Sequence, residues 1–247
     1  MNYETNVLFT GFPGKLTNAG LGWGAVVLAQ GHGQAILIDT GGPAIRGTLK
    51  GLLARHGLAY SDIDLVCLTH LHWDHAYNLD YFPQAEIVLS RVEWEEAGSL
   101  SPRDIYMEDK VLPLLRCLKT RLLENDGDDI APGLTALMLP GHTRGSMGIL
   151  MDQGSHGRWL FTGDACKNRA ELQSEDSGQA ADPAAARQSL AKMKKMADRI
   201  LPGHDGWIKV EDQGRRLRPE GGSEVTLVFG AGLTVNGGLT ELNIRLD

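Results

Sequence analysis

The chain has 247 residues, 42% of them hydrophobic, with three cysteines and a formal net charge of −7. That length and composition bury the core of one large domain or two small ones, and exclude a disordered or fibrous chain. Basic residues are scattered apart from KMKK at 192–195 and RRLR at 215–218, read as a solvated helix face and an exposed turn. Binding a polyanion would need a concentrated basic face to release counterions, which this composition weighs against, so no nucleic-acid partner is expected.

The N-terminus, MNYETNVLFTGFPGK, has no basic region followed by an apolar run. No stretch approaches the roughly 20 apolar residues of a membrane helix, so a soluble, cytoplasmic protein without a membrane partner is expected. Cys67, Cys117 and Cys166 are widely spaced and form no CxxC pair, which predicts ordinary free thiols in a reducing compartment.

The first loop, GFPGKLTNAGLGWG at 11–24, holds five glycines together with Phe12 and Trp23. These two rings are expected to wall a substrate's apolar portion, the alternative being core packing. AVVLAQGHGQAILIDTG (25–41) reads as two strands joined by a Gly-rich turn. Pro43 then opens a helix in which Ile45, Leu49, Leu52 and Leu53 recur at helical spacing before Gly57 stops it. DLVCLTH is a strand, AEIVLS another, and RVEWEEA a helix start. Residues 98–133 mix a Pro-marked helix with an acidic turn and read either as a cover over a site or as a plain surface connection. GLTALMLPGHT and RWLFTGDA are short apolar runs ending in Gly plus a polar residue, Asp182 and Pro183 cap a helix AAARQSLAKMKKMADR, and ILPGHD is a last short strand. The tail alternates apolar and polar residues about Asn-Gly-Gly, which predicts a β-hairpin. Val225, Leu227 and Phe229 share one face of its first strand, and Leu242, Ile244 and Leu246 one face of its second. An isolated hairpin is marginal in water, so this face is expected to pair with another copy of the chain or to cover its own sheet edge. The domain organisation expected is a catalytic domain over 1–215 and a hairpin tail over 220–247.

The chemistry concentrates in LTHLHWDHAYN (68–78), where three of the eight histidines and an aspartate fall within six residues. His70 and His72, two apart at the end of a strand, can turn to one side and ligate one ion, while Asp74 and His75 lie past the turn and can face a second. Packing explains this poorly, because three imidazoles and a carboxylate would have to be desolvated together. Further donors stand at strand ends, each after a glycine: His142 in LPGHT, Asp164 in FTGDA and His204 in LPGHD. An α/β framework places ligands on such loops. His32, His56 and His156 sit near glycines in turns and read as solvent-exposed.

HxHxDH followed by single His, Asp and His residues resembles the metallo-β-lactamase superfamily, over about residues 5–210. The resemblance implies an α/β fold, an αββα sandwich, here with a C-terminal β-hairpin extension. It implies that His70, His72 and His142 hold one metal, that Asp74, His75 and His204 hold another, and that Asp164 bridges them. Asp39 in LIDTG would brace the ligand loop without binding metal. Mixed nitrogen and oxygen donors suit zinc as the first expectation for the two divalent ions, and accommodate manganese or iron. Two ions roughly 4 Å apart lower the pKa of a shared water and polarise the scissile group, and Asp74 can return a proton to the leaving group.

Departures from family patterns narrow the activity. Zinc β-lactamases of the commonest type carry cysteine where Asp164 stands, flavodiiron reductases replace the second histidine, here His72, and glyoxalase II, close in THLHWDHA, ends in a helical domain rather than strands. Nuclease branches add a large inserted domain for which this length leaves little room. The chain is more similar to N-acyl homoserine lactonases, in IVLSRVEWEEA, KVLPLL, APGLTALMLPGHTRGSMGIL and DPAAARQSLAKMKKM. Those enzymes have a tyrosine three residues after the bridging aspartate, where this chain has Lys167. Lys167 could replace it as a catalytic donor to the substrate carbonyl, or point to solvent. The expected function is hydrolysis of a lactone or carboxylic ester of a small molecule, with phosphodiester or phosphotriester hydrolysis, or an iron-dependent sulfur dioxygenase, as alternatives.

Overall fold

Val26, Val27, Leu28 and Ala29 are consecutive, apolar and almost wholly buried. Successive strand side chains alternate between faces, so a strand can hide all four only if both its faces are covered. The computed structural model, which describes residues 2–18, 20–100, 104–220, 223–228 and 241–246, shows how both faces are covered. β1 (Glu4–Phe9), β2 (Val26–Gly31), β3 (Gln34–Ile38), β4 (Leu65–Cys67), β5 (Glu86–Ser90) and β6 (Thr120–Leu123) form one sheet in that order. Its first three strands run antiparallel and the rest parallel. Parallel neighbours need crossover connections, and these carry α1 (Leu49–Ala54), α2 (Trp73–Ala76), α3 (Arg91–Leu100) and α4 (Val111–Leu115).

The second sheet, in the order β13-β12-β11-β10-β9-β8-β7, comprises β7 (Asp129–Ala131), β8 (Leu134–Met138), β9 (Met147–Asp152), β10 (Arg158–Phe161), β11 (Arg199–Leu201), β12 (Trp207–Glu211) and β13 (Arg216–Glu220). Only β10 and β11 pair in parallel, the crossover carrying α5 (Arg169–Ser174) and α6 (Pro183–Met196). Asp182 caps α6 by accepting from the N–H groups of Ala184 and Ala185.

Side-chain alternation sorts these elements into layers. Leu28, Leu37, Val66 and Leu89 meet Leu49, Leu53, Phe82 and Leu115 on the outer face of the first sheet. Val27, Ile36, Cys67 and Val88 meet Leu134, Ile149 and Phe161 between the sheets. Leu160 and Ile200 lie against Leu172, Leu190 and Met193 of α5 and α6. Each fully buried Leu, Ile or Phe is worth about 1.5–3 kcal/mol, so the αββα sandwich is set by three apolar contacts between its layers. Both sheets deliver their loops to one edge, where the histidines lie.

Local departures from the sequence reading have physical causes. The helix expected from Pro43 breaks into a 3₁₀ turn, Pro43–Ile45, and the short α1, because Gly47 and Thr48 are poor helix formers and the Thr48 hydroxyl bonds back to the Ile45 carbonyl. RRLR at 215–218 is not a turn: Arg216–Arg218 belong to β13 and pair with β12. His32 and His156 are exposed, but His56 is half-buried. In 98–133, α4 buries Val111, Leu112 and Leu115 in the core and β6 joins the sheet, while Asp104 and Met107 reach His72 at the site.

β14 (Ser223–Val228) and β15 (Glu241–Leu246) form a separate two-stranded sheet, with Val225 opposite Ile244 and Leu227 opposite Leu242. Those four side chains are half-buried on one face, while Thr226, Val228, Glu241 and Asn243 are exposed. Phe229, the Asn-Gly-Gly turn and the Leu246 side chain lie outside the described residues. Truncation after Glu220 is expected to change oligomeric state or solubility while leaving metal content intact, measured by light scattering and metal analysis. Unchanged particle size and melting temperature would make the hairpin a mere appendage. Among the described residues no helix is long and apolar enough to cross a membrane.

Candidate metal centre

β4 ends at Cys67, and the chain then runs past His70 and His72 into α2, whose first turn carries Asp74 and His75. His142 follows β8, Asp164 sits in a 3₁₀ turn after β10, and His204 follows β11. These seven residues converge. Ligand atoms lie within 4.8 Å of one another in each of three sets: His70, His72 and His142; His70, His75 and Asp164; Asp74, His75 and His204.

The glycines before the ligands are required by crowding. A Cβ on Gly163, whose φ is +50°, would lie 2.1 Å from Thr69 Oγ1, and one on Gly203 would lie 2.3 Å from Asp164 Oδ1. Either would push the ligand loops apart. The loop at 11–24 closes the His75 and His204 side, since a Cβ on Gly24 would meet the His75 ring at 2.6 Å and one on Gly11 the Gly203 carbonyl at 2.1 Å.

Each imidazole is anchored by its outer nitrogen. His75 Nδ1 donates to Asp39 Oδ2 (2.7 Å), His204 Nδ1 to the Phe12 carbonyl (3.2 Å), His142 Nδ1 to the Gln179 carbonyl (3.1 Å) and His72 Nε2 to Asp104 Oδ2 (3.2 Å). The Thr69 hydroxyl donates to Asp39 Oδ2 (2.8 Å), leaving its oxygen to accept from His70 Nδ1 (3.1 Å). Such outer bonds fix tautomer and ring direction. The inner lone pairs therefore face one another: His72 Nδ1 and His142 Nε2 are 3.0 Å apart.

Inner atoms of this kind suit a cation. His70 Nε2, His75 Nε2 and Asp164 Oδ1 are buried without a hydrogen-bond partner, a costly state for polar atoms. Asp164 Oδ1 lies 3.1 Å from His75 Nε2 and 3.0 Å from His204 Nε2, and Asp164 Oδ2 lies 3.5 Å from His142 Nε2. Burial pushes the Asp164 carboxyl up, but His204, His75 and His142 hold it well below the usual range. Burial likewise opposes charge on His75, yet Asp74, Asp164 and Asp39 raise it well above an ordinary histidine. Burial pushes His142 down to about 3 and, with its neighbouring imidazoles, holds His70 well below its usual value. One side of the cluster thus favours neutral imidazoles, while the carboxylates on the other favour a protonated His75. Nitrogen and carboxylate donors in this arrangement fit divalent zinc, manganese or iron.

Around the donors, sequence reading missed several braces. Asn78 Nδ2 donates to the carbonyls of Thr40, Gly41 and Gly42, locking α2 to the Asp39 turn. Burial pushes the Asp205 carboxyl up, but the Arg169 fork at 2.9 and 2.8 Å and backbone N–H groups hold it below the usual range beside His204. Asp104 and Glu93 were also unmarked. Lys167 does not point to solvent: its Nζ reaches Glu171 Oε1 (3.1 Å) and Ser177 Oγ (3.2 Å), and its side chain is only 14% exposed. Phe12 is buried, and its ring meets the half-buried Trp23 ring at 4.9 Å. A groove opens beside His72 and His142, lined among others by Leu71, Met107 and Arg144, with exposed Ile105 and Tyr106 on the adjoining loop. The three cysteines are unpaired, and burial raises the thiols of Cys67 and Cys166, leaving them inert.

The metallo-beta-lactamase superfamily model matches residues 20–204. The chain belongs to this superfamily. Metallo-beta-lactamase domain-containing protein 1 of Homo sapiens is 32% identical over 206 residues, covering 82% of this chain and 70% of that protein; the match spans only 61% of the Mus musculus form. An N-acyl homoserine lactonase of Bacillus thuringiensis is 28% identical over 220 residues, covering 78% of this chain and 84% of the lactonase. A crystal structure of a B. thuringiensis AiiA mutant with N-decanoyl-L-homoserine bound at the active site shares the metallo-beta-lactamase fold, with a TM-score of 0.63 at 22% identity over 78% of this chain and 87% of that one. Divalent metal binding is what this superfamily's fold implies.

Proposed function

We propose that this superfamily member hydrolyses a lactone or other carboxylic ester at a centre of two divalent ions, zinc first. The observation that carries the reading is the convergence of His70 Nε2, His75 Nε2 and Asp164 Oδ1, buried and without hydrogen-bond partners, within overlapping sets of donors. His70, His72 and His142 would hold one ion, Asp74, His75 and His204 the other, with Asp164 between them. Bound there, the two ions would supply Lewis acidity and a nucleophilic water at neutral pH.

The chain's own residues do the rest. Asp74, whose Oδ2 is 3.3 Å from His204 Nε2, is the carboxylate assigned here to hold a proton and return it to the leaving oxygen. Lys167 places a positive charge near His142, and reaching a substrate carbonyl requires it to exchange Ser177 for that oxygen. The similarity to an N-acyl homoserine lactonase supports the ester class. A panel of lactone, carboxylic ester, thioester, phosphoester and β-lactam substrates on the metal-loaded protein tests it, with preferential turnover of lactones or esters expected. Preference for a phosphoester would overturn the reading.

Trp23 is assigned to the wall for the acyl portion, because it is half-buried and its loop packs on His75. Trp23→Ala is expected to raise KM for long-chain esters more than for short ones, with little change in melting temperature. Equal effects at both chain lengths would return Trp23 to the core, the role that burial already gives Phe12.

A further inference from the structure

We infer that Glu93 is a positioning residue for the metal centre, a buried carboxylate tying the loop of His70 and His72 to the loop of His142. The inference rests on the metal-centre reading above and concerns how that centre keeps its shape.

Glu93 lies in the first turn of α3, 5% exposed. Its two oxygens serve different loops. Oε1 accepts from the backbone N–H of Leu71, between His70 and His72, at 2.9 Å. Oε2 accepts from the hydroxyl of Thr143, next to His142, at 2.6 Å. Glu95 and Glu96 of the same helix pair outward with Arg91 and Arg144, so inward burial distinguishes Glu93 from its acidic neighbours.

The surroundings are built for that bridge. A Cβ on Gly145 would lie 2.0 Å from the Glu93 nitrogen, so only glycine lets the His142 loop come this close to α3. Ser90 Oγ donates to the Gly145 carbonyl (2.6 Å) and accepts from the Glu93 N–H (3.0 Å), joining the same loop to the start of the helix. Ser146 Oγ accepts from the Thr143 N–H at 3.1 Å and lies 2.7 Å from Thr143 Oγ1, which orients the hydroxyl toward Glu93. His72 Nδ1 and His142 Nε2 meet at 3.0 Å although their loops leave different sheets. The carboxylate is a direct link between those loops, and it touches neither imidazole's inner nitrogen.

Removing the link should loosen the distance between His72 and His142 and weaken metal binding on that side. Glu93→Ala severs both bonds. Thr143→Val severs only the one to the His142 loop. Glu93→Gln keeps an acceptor for Leu71 and can donate its amide to Thr143 once that hydroxyl turns to Ser146. Zinc affinity should be measured by competition with a chromophoric chelator, and geometry by the visible absorption of the Co(II)-loaded protein, with metal-free melting temperatures alongside. The expected result is a fall in affinity for one ion of about tenfold in Glu93→Ala, the low end of the range for groups bonded directly to a metal ligand, a smaller fall in Thr143→Val, near-parent affinity in Glu93→Gln, and an altered Co(II) spectrum in the first two. If Glu93→Ala does not fold, Thr143→Val against Glu93→Gln carries the test. Parent-like affinity and spectrum in both severed variants, with only melting temperature reduced, would overturn the proposal and leave Glu93 a packing residue. Failure of the parent chain itself to bind Zn or Co(II) would instead overturn the metal-centre reading, and with it the role given to Glu93.

Discussion

Asp164→Ala is expected to abolish turnover while the chain remains folded. Among the described residues Asp164 is the one carboxylate that approaches His75, His142 and His204 together, and its Oδ1 has no other partner there. Losing an outer partner of a metal ligand typically costs about 10–100-fold, so losing a side chain that faces both donor sets should cost at least about a hundredfold in kcat. Without metal, the alanine variant leaves His75 and His204 free to lose the protons that Asp164 helps them keep, which limits the damage to stability. Steady-state rates against a thermal melt separate the two effects. Activity within about tenfold of the parent, roughly 1.4 kcal/mol of barrier, would deny Asp164 its bridging role.

Asp39 should show the opposite balance, with stability and metal affinity falling together. Its buried carboxylate accepts from the Thr69 N–H, the Thr69 hydroxyl and His75 Nδ1, and Asp39→Ala strands buried donors at about 1–3 kcal/mol each. Its φ is +58°, a conformation asparagine also tolerates, so Asp39→Asn isolates the chemistry from the backbone. The amide cannot both replace the two acceptor oxygens and receive the His75 proton, and about a 10–100-fold loss of metal affinity is expected. An asparagine variant that melts and binds zinc like the parent would show that the carboxylate does not hold the His75 tautomer.

Much of this centre was legible because its chemistry is locally dense. His70, His72, Asp74 and His75 share one short run, and His142, Asp164 and His204 repeat a strand, Gly, ligand layout. The strands β2 to β5 were legible as short apolar runs, while their layering into an αββα sandwich followed from the resemblance that the ligand motifs carry. Residues whose role depends on a distant loop were not legible. Glu93 reads like Glu95 and Glu96 in RVEWEEA, and only the close approach of Gly145 buries it. Asp104 fell in a segment read as a cover or a connection, and nothing nearby in sequence shows that His72 would turn Nε2 toward it. For Lys167 the sequence offers a carbonyl donor or a solvent-facing charge, and neither includes the ion pair with Glu171 and the hydrogen bond to Ser177 that the fold gives it.

A two-ion centre is tested most directly by the metal content of the purified chain after equilibration with zinc and removal of free ions, measured by mass spectrometry against protein concentration. About two ions per chain are expected, as a bridging arrangement requires, falling toward about one in His75→Ala or His204→Ala with loss of turnover. One ion per chain at full hydrolytic activity, or two ions retained after either histidine is removed, would contradict it.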